Sequence, residues 1–226
     1  MKSSSPHGGP LRIAALASGR GSNLQALIDA IAAGTLNARL VGVFSDRAGA
    51  VALDRARAAG VPCAAESPKA FPSRAAYDEA LFAHVDAVQP DLVVCAGYMR
   101  LIGAAAVEAR PGLLINIHPS LLPRFKGLHT HQRALEAGET EHGASVHYVT
   151  ADLDGGPVIA QARVPVLPGD DEDSLAARVL EREHPLLVEV VRWIADGRIR
   201  LGEHSVQVDN AALDTPLQLG SNNRFA

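Results

Sequence analysis

The sequence predicts an α/β domain with a mostly parallel, twisted sheet covered by helices on both faces. Three features carry this. Short, continuously apolar runs alternate with segments of helical period, the runs are rich in Leu, Ile and Val, and a glycine-rich turn joins the first run to the first helix. A chain of 226 residues can bury one substantial core, and 47% apolar composition excludes a wholly disordered chain.

In chain order, Leu11 to Ala17 is the first strand-like run, and it stops at Ser18-Gly19-Arg20-Gly21-Ser22-Asn23. Leu24, Leu27, Ile28 and Ile31 then recur at helical spacing as far as Gly34. Arg39 to Ser45 is a second strand, and Ala50 to Ala59 an alanine-rich helix closed by Gly60. A helix from about Ser73 to Val88 precedes a third strand, Asp91 to Ala96. Leu113 to Ile117, Ser145 to Val149 and Val158 to Val164 supply three more, and a long helix from Asp171 to Ala195 stops at Asp196-Gly197. These boundaries divide the chain into a leader (1–10), one folded domain (11–200) and a C-terminal extension (201–226), with the tail beyond about Gln207 expected to be loosely held.

Composition narrows the function. Acidic residues (25) outnumber basic ones (21), giving a net charge of −4, and aromatics are only 4%, which argues against a broad nucleic-acid surface with stacking rings. No stretch approaches the roughly 18 apolar residues of a membrane span. The leader lacks the apolar segment of a signal peptide, so a cytoplasmic location is expected. Cys63 and Cys95 each sit among apolar residues and read as small buried side chains. Two cysteines do not make a disulfide framework or a zinc site, and the histidines match no metal-ligand spacing, so no metal is expected.

Two places carry chemistry. The glycine turn lies where a doubly wound fold binds anions, because glycine lets the backbone approach an anion and the following helix supplies free amides and a positive dipole end. It lacks the full dinucleotide fingerprint and the P-loop lysine, so it suits a single phosphate; an ordinary turn with Asn23 as a cap is the plain alternative. The second place is Asn116-Ile117-His118-Pro119, at the carboxyl end of an apolar strand. Asn116 and His118 are two apart and share one face; an amide can donate to a developing oxyanion, and an imidazole exchanges protons near neutral pH. Asp152-Leu153-Asp154-Gly155-Gly156-Pro157 adds a carboxylate turn that could hold a cationic imidazole and raise its pKa. Each feature alone is as often a local hydrogen-bonder or a common turn.

Together these motifs resemble the folate-dependent formyltransferases. The likeness spans about Arg12 to Arg200 and includes residues 18–25, Ala96-Gly97-Tyr98-Met99-Arg100, residues 116–123, residues 142–147 and residues 152–157. Gly21-Ser22-Asn23-Leu24-Gln25 and Gly127-Leu128-His129-Thr130-His131 resemble the branch that formylates glycinamide ribonucleotide in purine synthesis. The resemblance implies a Rossmann-like formyltransferase fold, with 10-formyltetrahydrofolate as co-substrate and glycinamide ribonucleotide as acceptor. It makes Asn116, His118 and Asp154 the catalytic trio, with His118 protonated. Gly21, Ser22 and Asn23 would hold the ribonucleotide phosphate, and Glu183 would orient the glycinamide amine. Folate contacts would come from Arg74, Met99, Arg100, Leu101, Ile102, Thr150, Ala151, Asp152 and Leu153. Leu180 stands where some relatives place a polar or basic residue near the nucleotide. The expected partners are these two small molecules, with no nucleic acid and no membrane, and a homodimer is compatible.

Three other readings share some of these features. Formyltetrahydrofolate hydrolase and methionyl-tRNA formyltransferase share the trio but carry, respectively, a further N-terminal and a further C-terminal domain, for which the leader and tail look too short. A silent nucleotide-binding module of the same fold would be expected to lack the trio.

Overall fold

The computed structural model describes residues 9–203 and 205–225, so most of the leader lies outside the described residues. Strands and helices alternate as β1 (Leu11–Leu16), α1 (Ser22–Ala32), β2 (Ala38–Ser45), α2 (Val51–Ala58), β3 (Cys63–Ala65), α3 (Arg74–Ala87), β4 (Leu92–Cys95), α4 (Ala104–Glu108) and β5 (Leu114–His118). Then come α5 (Thr130–Glu136), β6 (Glu141–Tyr148), β7 (Val158–Pro165), α6 (Glu172–Ala195), β8 (Ile199–Leu201), β9 (Val206–Val208), β10 (Ala211–Ala212) and β11 (Leu217–Gln218). The main sheet has the order β11-β7-β6-β5-β4-β1-β2-β3, and every neighbouring pair is parallel except those made by β6.

The predicted alternation therefore holds, and the strand order reverses between β1 and β4. A crevice opens at such a switch point outside the carboxyl ends of the strands. Successive side chains of each strand go to opposite faces. Ile13, Ala15, Ile115 and Ile117 pack with α1, α2 and α6, whereas Ala14, Leu16, Val93 and Leu114 pack with Tyr77, Leu81, Phe82 and Val85 of α3. The short elements β3, α4, α5 and β8–β10 carried no usable period in the sequence.

The tail departs from expectation, because it is tied down. Strand β11 extends the sheet beside β7, and Leu219 donates its amide to the Gln161 carbonyl at 2.9 Å. Phe225 is buried edge-on against Trp193 of α6, with ring centroids 5.1 Å apart. Glu189, 1% exposed, pairs with Arg192 at 2.6 Å and Arg224 at 2.8 Å. Apart from the Glu189–Arg192 pair within α6, these are contacts between residues far apart in sequence, which no local period reveals.

Candidate active site

Asn116 and His118 share a face of β5 with Leu114, because Ile115 and Ile117 are turned into the opposite core. Strand β6 runs antiparallel to β5 and sets His147 directly opposite Asn116, which brings its imidazole onto that face. The Asn116 Nδ2 and His147 Nε2 atoms are 3.1 Å apart. His147 Nδ1 lies 2.9 Å from the Tyr148 carbonyl oxygen, which can only accept, so Nδ1 carries the proton and Nε2 accepts from Asn116. One amide hydrogen thus fixes the Asn116 rotamer, and the second is free for a ligand.

His118 is placed by the same reasoning. Its Nε2 donates to the Phe125 carbonyl at 3.0 Å, so Nδ1 is the nitrogen left to exchange a proton, and it faces Asp154 Oδ2 at 3.5 Å. Asp154 accepts the Gly127 amide at 2.9 Å, and its other oxygen lies 3.6 Å from His147 Nε2. Its loop is bent sharply: Asp154 has φ 45°, and a Cβ on Gly156 would lie 1.9 Å from the Tyr148 carbonyl oxygen. Glycine at 156 is what lets the turn fold back over the face that holds Asn116, His118 and His147.

Burial pushes the His118 pKa below its ordinary value, outweighing the Phe125 carbonyl and the Asp154 carboxylate that favour the charged form. Burial thus disfavours an imidazolium at His118, while Asp154 favours it. Burial also opposes ionisation of Asp154, but the hydrogen bond from the Gly127 amide favours the carboxylate, and its pKa lies below the usual carboxylate range.

The glycine turn stands at the head of α1. Gly21 is its N-cap, at φ 69°, and a Cβ there would meet the Ala52 Cβ at 2.7 Å, so α2 packs directly on the turn. No side chain caps the helix. Its first amides keep no partner within the helix. Asn23 donates from Nδ2 to Glu183 Oε2 at 2.9 Å, while its own Oδ1 is buried without a partner. Burial raises the Glu183 pKa, and the Asn23 bond offsets this in part.

These elements enclose a cleft of about 750 Å³. Twelve of the sixteen predicted site residues line it: Asn23, Met99, Arg100, Leu101, Ile102, Asn116, His118, Thr150, Asp152, Leu153, Asp154 and Glu183. Gly21 and Ser22 form the turn beneath it, while Arg74 at the start of α3 and exposed Ala151 stand outside its wall. Met99, Leu101, Leu128 and Leu153 are exposed around the cleft and give it an aliphatic rim. Met99 is anchored there by its amide, which donates to Ser18 Oγ at 2.9 Å. Sequence reasoning gave His147 no role of its own, because its place opposite Asn116 depends on strand register. Among the described residues, no group of three or more His, Cys, Asp or Glu is arranged to hold a metal ion. Nor is any described helix long and apolar enough to cross a membrane.

Comparison with known proteins agrees with this geometry. A profile of the formyl transferase family matches residues 11–191, and the chain belongs to that family. It is similar to the Escherichia coli phosphoribosylglycinamide formyltransferase, with 49% identity over 90% of this chain and 96% of that protein. The solved Coxiella burnetii phosphoribosylglycinamide formyltransferase superposes with a TM-score of 0.87 at 48% identity, covering 90% of this chain and 96% of the other. A formyltetrahydrofolate deformylase from Pseudomonas syringae shares the fold at a TM-score of 0.81 and 25% identity, covering 88% of this chain but 66% of its own.

Proposed function

We propose that this protein transfers the formyl group of 10-formyltetrahydrofolate to the amine of glycinamide ribonucleotide, releasing formylglycinamide ribonucleotide and tetrahydrofolate in purine synthesis. The observation that carries the reading is the convergence of Asn116, His118 and Asp154 in one cleft beside an uncapped anion turn. The extensive likeness to phosphoribosylglycinamide formyltransferases supports the choice of acceptor.

The cleft suits both substrates. Its aliphatic rim and the loop at 97–102 fit a flat pteridine, with Met99, Arg100, Leu101, Ile102, Thr150, Asp152 and Leu153 as the wall. The ribonucleotide phosphate would sit on the amides of Gly21, Ser22 and Asn23, and Glu183 would face the glycinamide amine. Arg74 and Ala151, expected to touch folate, would do so only where the ligand extends past the wall.

Formyl transfer needs charge placed and a proton moved. As the neutral amine approaches the formyl carbon, the free Asn116 amide hydrogen donates to the oxygen that gains charge. The attacking nitrogen gains positive charge and must lose a proton, which His118 Nδ1 accepts in the neutral form that burial favours. Ionised Asp154, 3.5 Å away, stabilises that proton until it passes to the departing folate nitrogen. No covalent bond to the enzyme is needed, and Cys95 on the cleft wall is unsuited to form one, since burial pushes its thiol up to about 12. Holding both substrates in register supplies much of the remaining acceleration. The same reading puts the enzyme in the cytoplasm, treats 11–200 as the catalytic unit and admits a homodimer.

The test is substrate dependence. Purified protein is mixed with 10-formyltetrahydrofolate, and deformylation is followed with glycinamide ribonucleotide, with water alone and with charged initiator tRNA. Turnover should require the ribonucleotide. Equal turnover in water would favour the deformylase chemistry of the Pseudomonas syringae relative instead.

A further inference from the structure

We infer that Arg20, inside the glycine turn, is the cation that recognises the phosphate of the acceptor and sets the enzyme's preference for a phosphorylated substrate. This rests on the ribonucleotide reading above, and adds a residue that reading does not use.

The turn is oriented by α2. Its carbonyls at Gly19 and Arg20 are both taken up on that side, by the Ala52 amide at 3.0 Å and by Arg55 Nε at 2.9 Å. Arg55 also reaches Gln25 Oε1 at 2.8 Å, so its guanidinium is committed to holding the turn in place. With these carbonyls turned towards α2, the Arg20 and Gly21 amides of the same planar peptides face away from it, and no side chain caps α1 behind them. Asn23, 7% exposed, lies on the cleft wall beside them with its Oδ1 buried and unpartnered. That oxygen can only accept, so it suits a donor on the acceptor molecule, such as a ribose hydroxyl beside the phosphate, and leaves the phosphate itself to the amides and to a cation.

The opposite wall makes the need for a cation specific. The side of α6 that approaches the turn carries Glu183, which binds Asn23, and one and two turns earlier Leu180 and Ala176. Glu172, at the start of α6, also lines the cleft. None of these is basic, and two are acidic. A phosphate dianion brought to the turn meets carboxylates on α6, and the helix dipole supplies only about half a positive charge. Arg20 immediately precedes the N-cap and is exposed, and its guanidinium makes no hydrogen bond or ion pair among the described residues. An arginine offers several donors in a planar fork that matches phosphate oxygens. Being exposed and one residue from the turn's N-cap, Arg20 is the cation we assign to an anion seated on those amides.

The experiment uses the full chain and three ligands: glycinamide ribonucleotide, the same molecule lacking its phosphate, and inorganic phosphate. Binding to the parent protein, Arg20→Ala and Arg20→Lys is measured by calorimetry at two salt concentrations, alongside steady-state kinetics. We expect Arg20→Ala to weaken ribonucleotide binding about tenfold or more and to raise KM for it similarly, with little change in kcat. The KM for the folate and the binding of the dephosphorylated acceptor should not move. The salt dependence of ribonucleotide binding should flatten in Arg20→Ala and be restored in Arg20→Lys. Because the side chain is exposed and the carbonyl contacts of the turn are retained, the variant should fold normally. If Arg20→Ala binds the ribonucleotide as tightly as the parent, with an unchanged salt slope, the role of Arg20 is overturned while the proposed function stands. If the parent gains nothing from the phosphate, so that both acceptors bind alike, the turn is not the phosphate site and both readings fall.

Discussion

The two sides of the cleft differ in how far they are finished. On the β5–β6 side the polar groups already have partners: Asn116 with His147, His118 with Phe125, and Asp154 with the Gly127 amide. Within the trio, one amide hydrogen on Asn116 and one ring nitrogen on His118 remain open, and beyond it Thr150 Oγ1 on the cleft wall is buried without a partner. On the turn side the reverse holds, with an uncapped helix, a buried Asn23 oxygen lacking a partner and, among the described residues, no hydrogen bond or ion pair to the Arg20 guanidinium. Under the proposed function the difference matches two tasks. Groups that stabilise charge in a transition state work best when fixed beforehand, whereas a binding turn can leave its last hydrogen bonds for the substrate to make.

The strongest way to break this contrast is on the finished side. Asn116→Ala removes the free donor and should lower kcat about 10²–10³-fold, with binding of a folate analogue by calorimetry nearly unchanged. A loss confined to KM would mean that Asn116 belongs to binding. Asp154→Asn is a gentler probe, because asparagine tolerates the left-handed backbone at this position and can still accept from Gly127. It should lower kcat about 10²-fold. It also carries a signed pH effect. The Asp154 carboxylate raises the His118 pKa, so its loss lowers that pKa further. Because the neutral imidazole is the active form at rest, the acid limb of the kcat profile should shift to lower pH. A shift towards higher pH would contradict the assignment of His118 as proton acceptor.

The smallest effect on rate, though not on stability, should come from His142, which is buried near the site but outside the trio. Burial pushes its pKa down to about 4 from 6.5, and the neighbouring His131 adds to this. The folded protein thus binds this proton less readily than the unfolded chain. The resulting stability is fully present above about pH 6.5 and is lost as pH falls towards 4, by up to about 3 kcal/mol. Urea midpoints of His142→Gln measured across that range should show a flatter pH dependence than the parent. Equal slopes would place the acid sensitivity on other groups.

Much of this contrast was legible in the sequence, and the illegible parts share a cause. The turn at 18–23 and the Asn116-x-His118 pair announce themselves because a strand or helix period runs up to them and glycine or proline ends it. Asp154 was found through its turn and the family motif. His147, in contrast, acts only because β6 pairs with β5 in one register, and a slip of one residue would turn it to the other face. The balance at His118 is hidden for a related reason: the sequence shows the carboxylate nearby but not the burial that opposes it. The tail looked unstructured because its strand is two residues long and its anchor, Phe225 on Trp193, joins distant parts of the chain.

The central claim is that Asn116 and His118 meet the reacting formyl group in a site already set for it. A crystal structure with glycinamide ribonucleotide and a folate analogue bearing a formyl-like oxygen tests it most directly. That oxygen should lie within about 3 Å of Asn116 Nδ2, with the acceptor amine in reach of His118 Nδ1 and the Asn116–His147 bond intact. A formyl mimic held elsewhere in the cleft, out of reach of both side chains, would contradict the account.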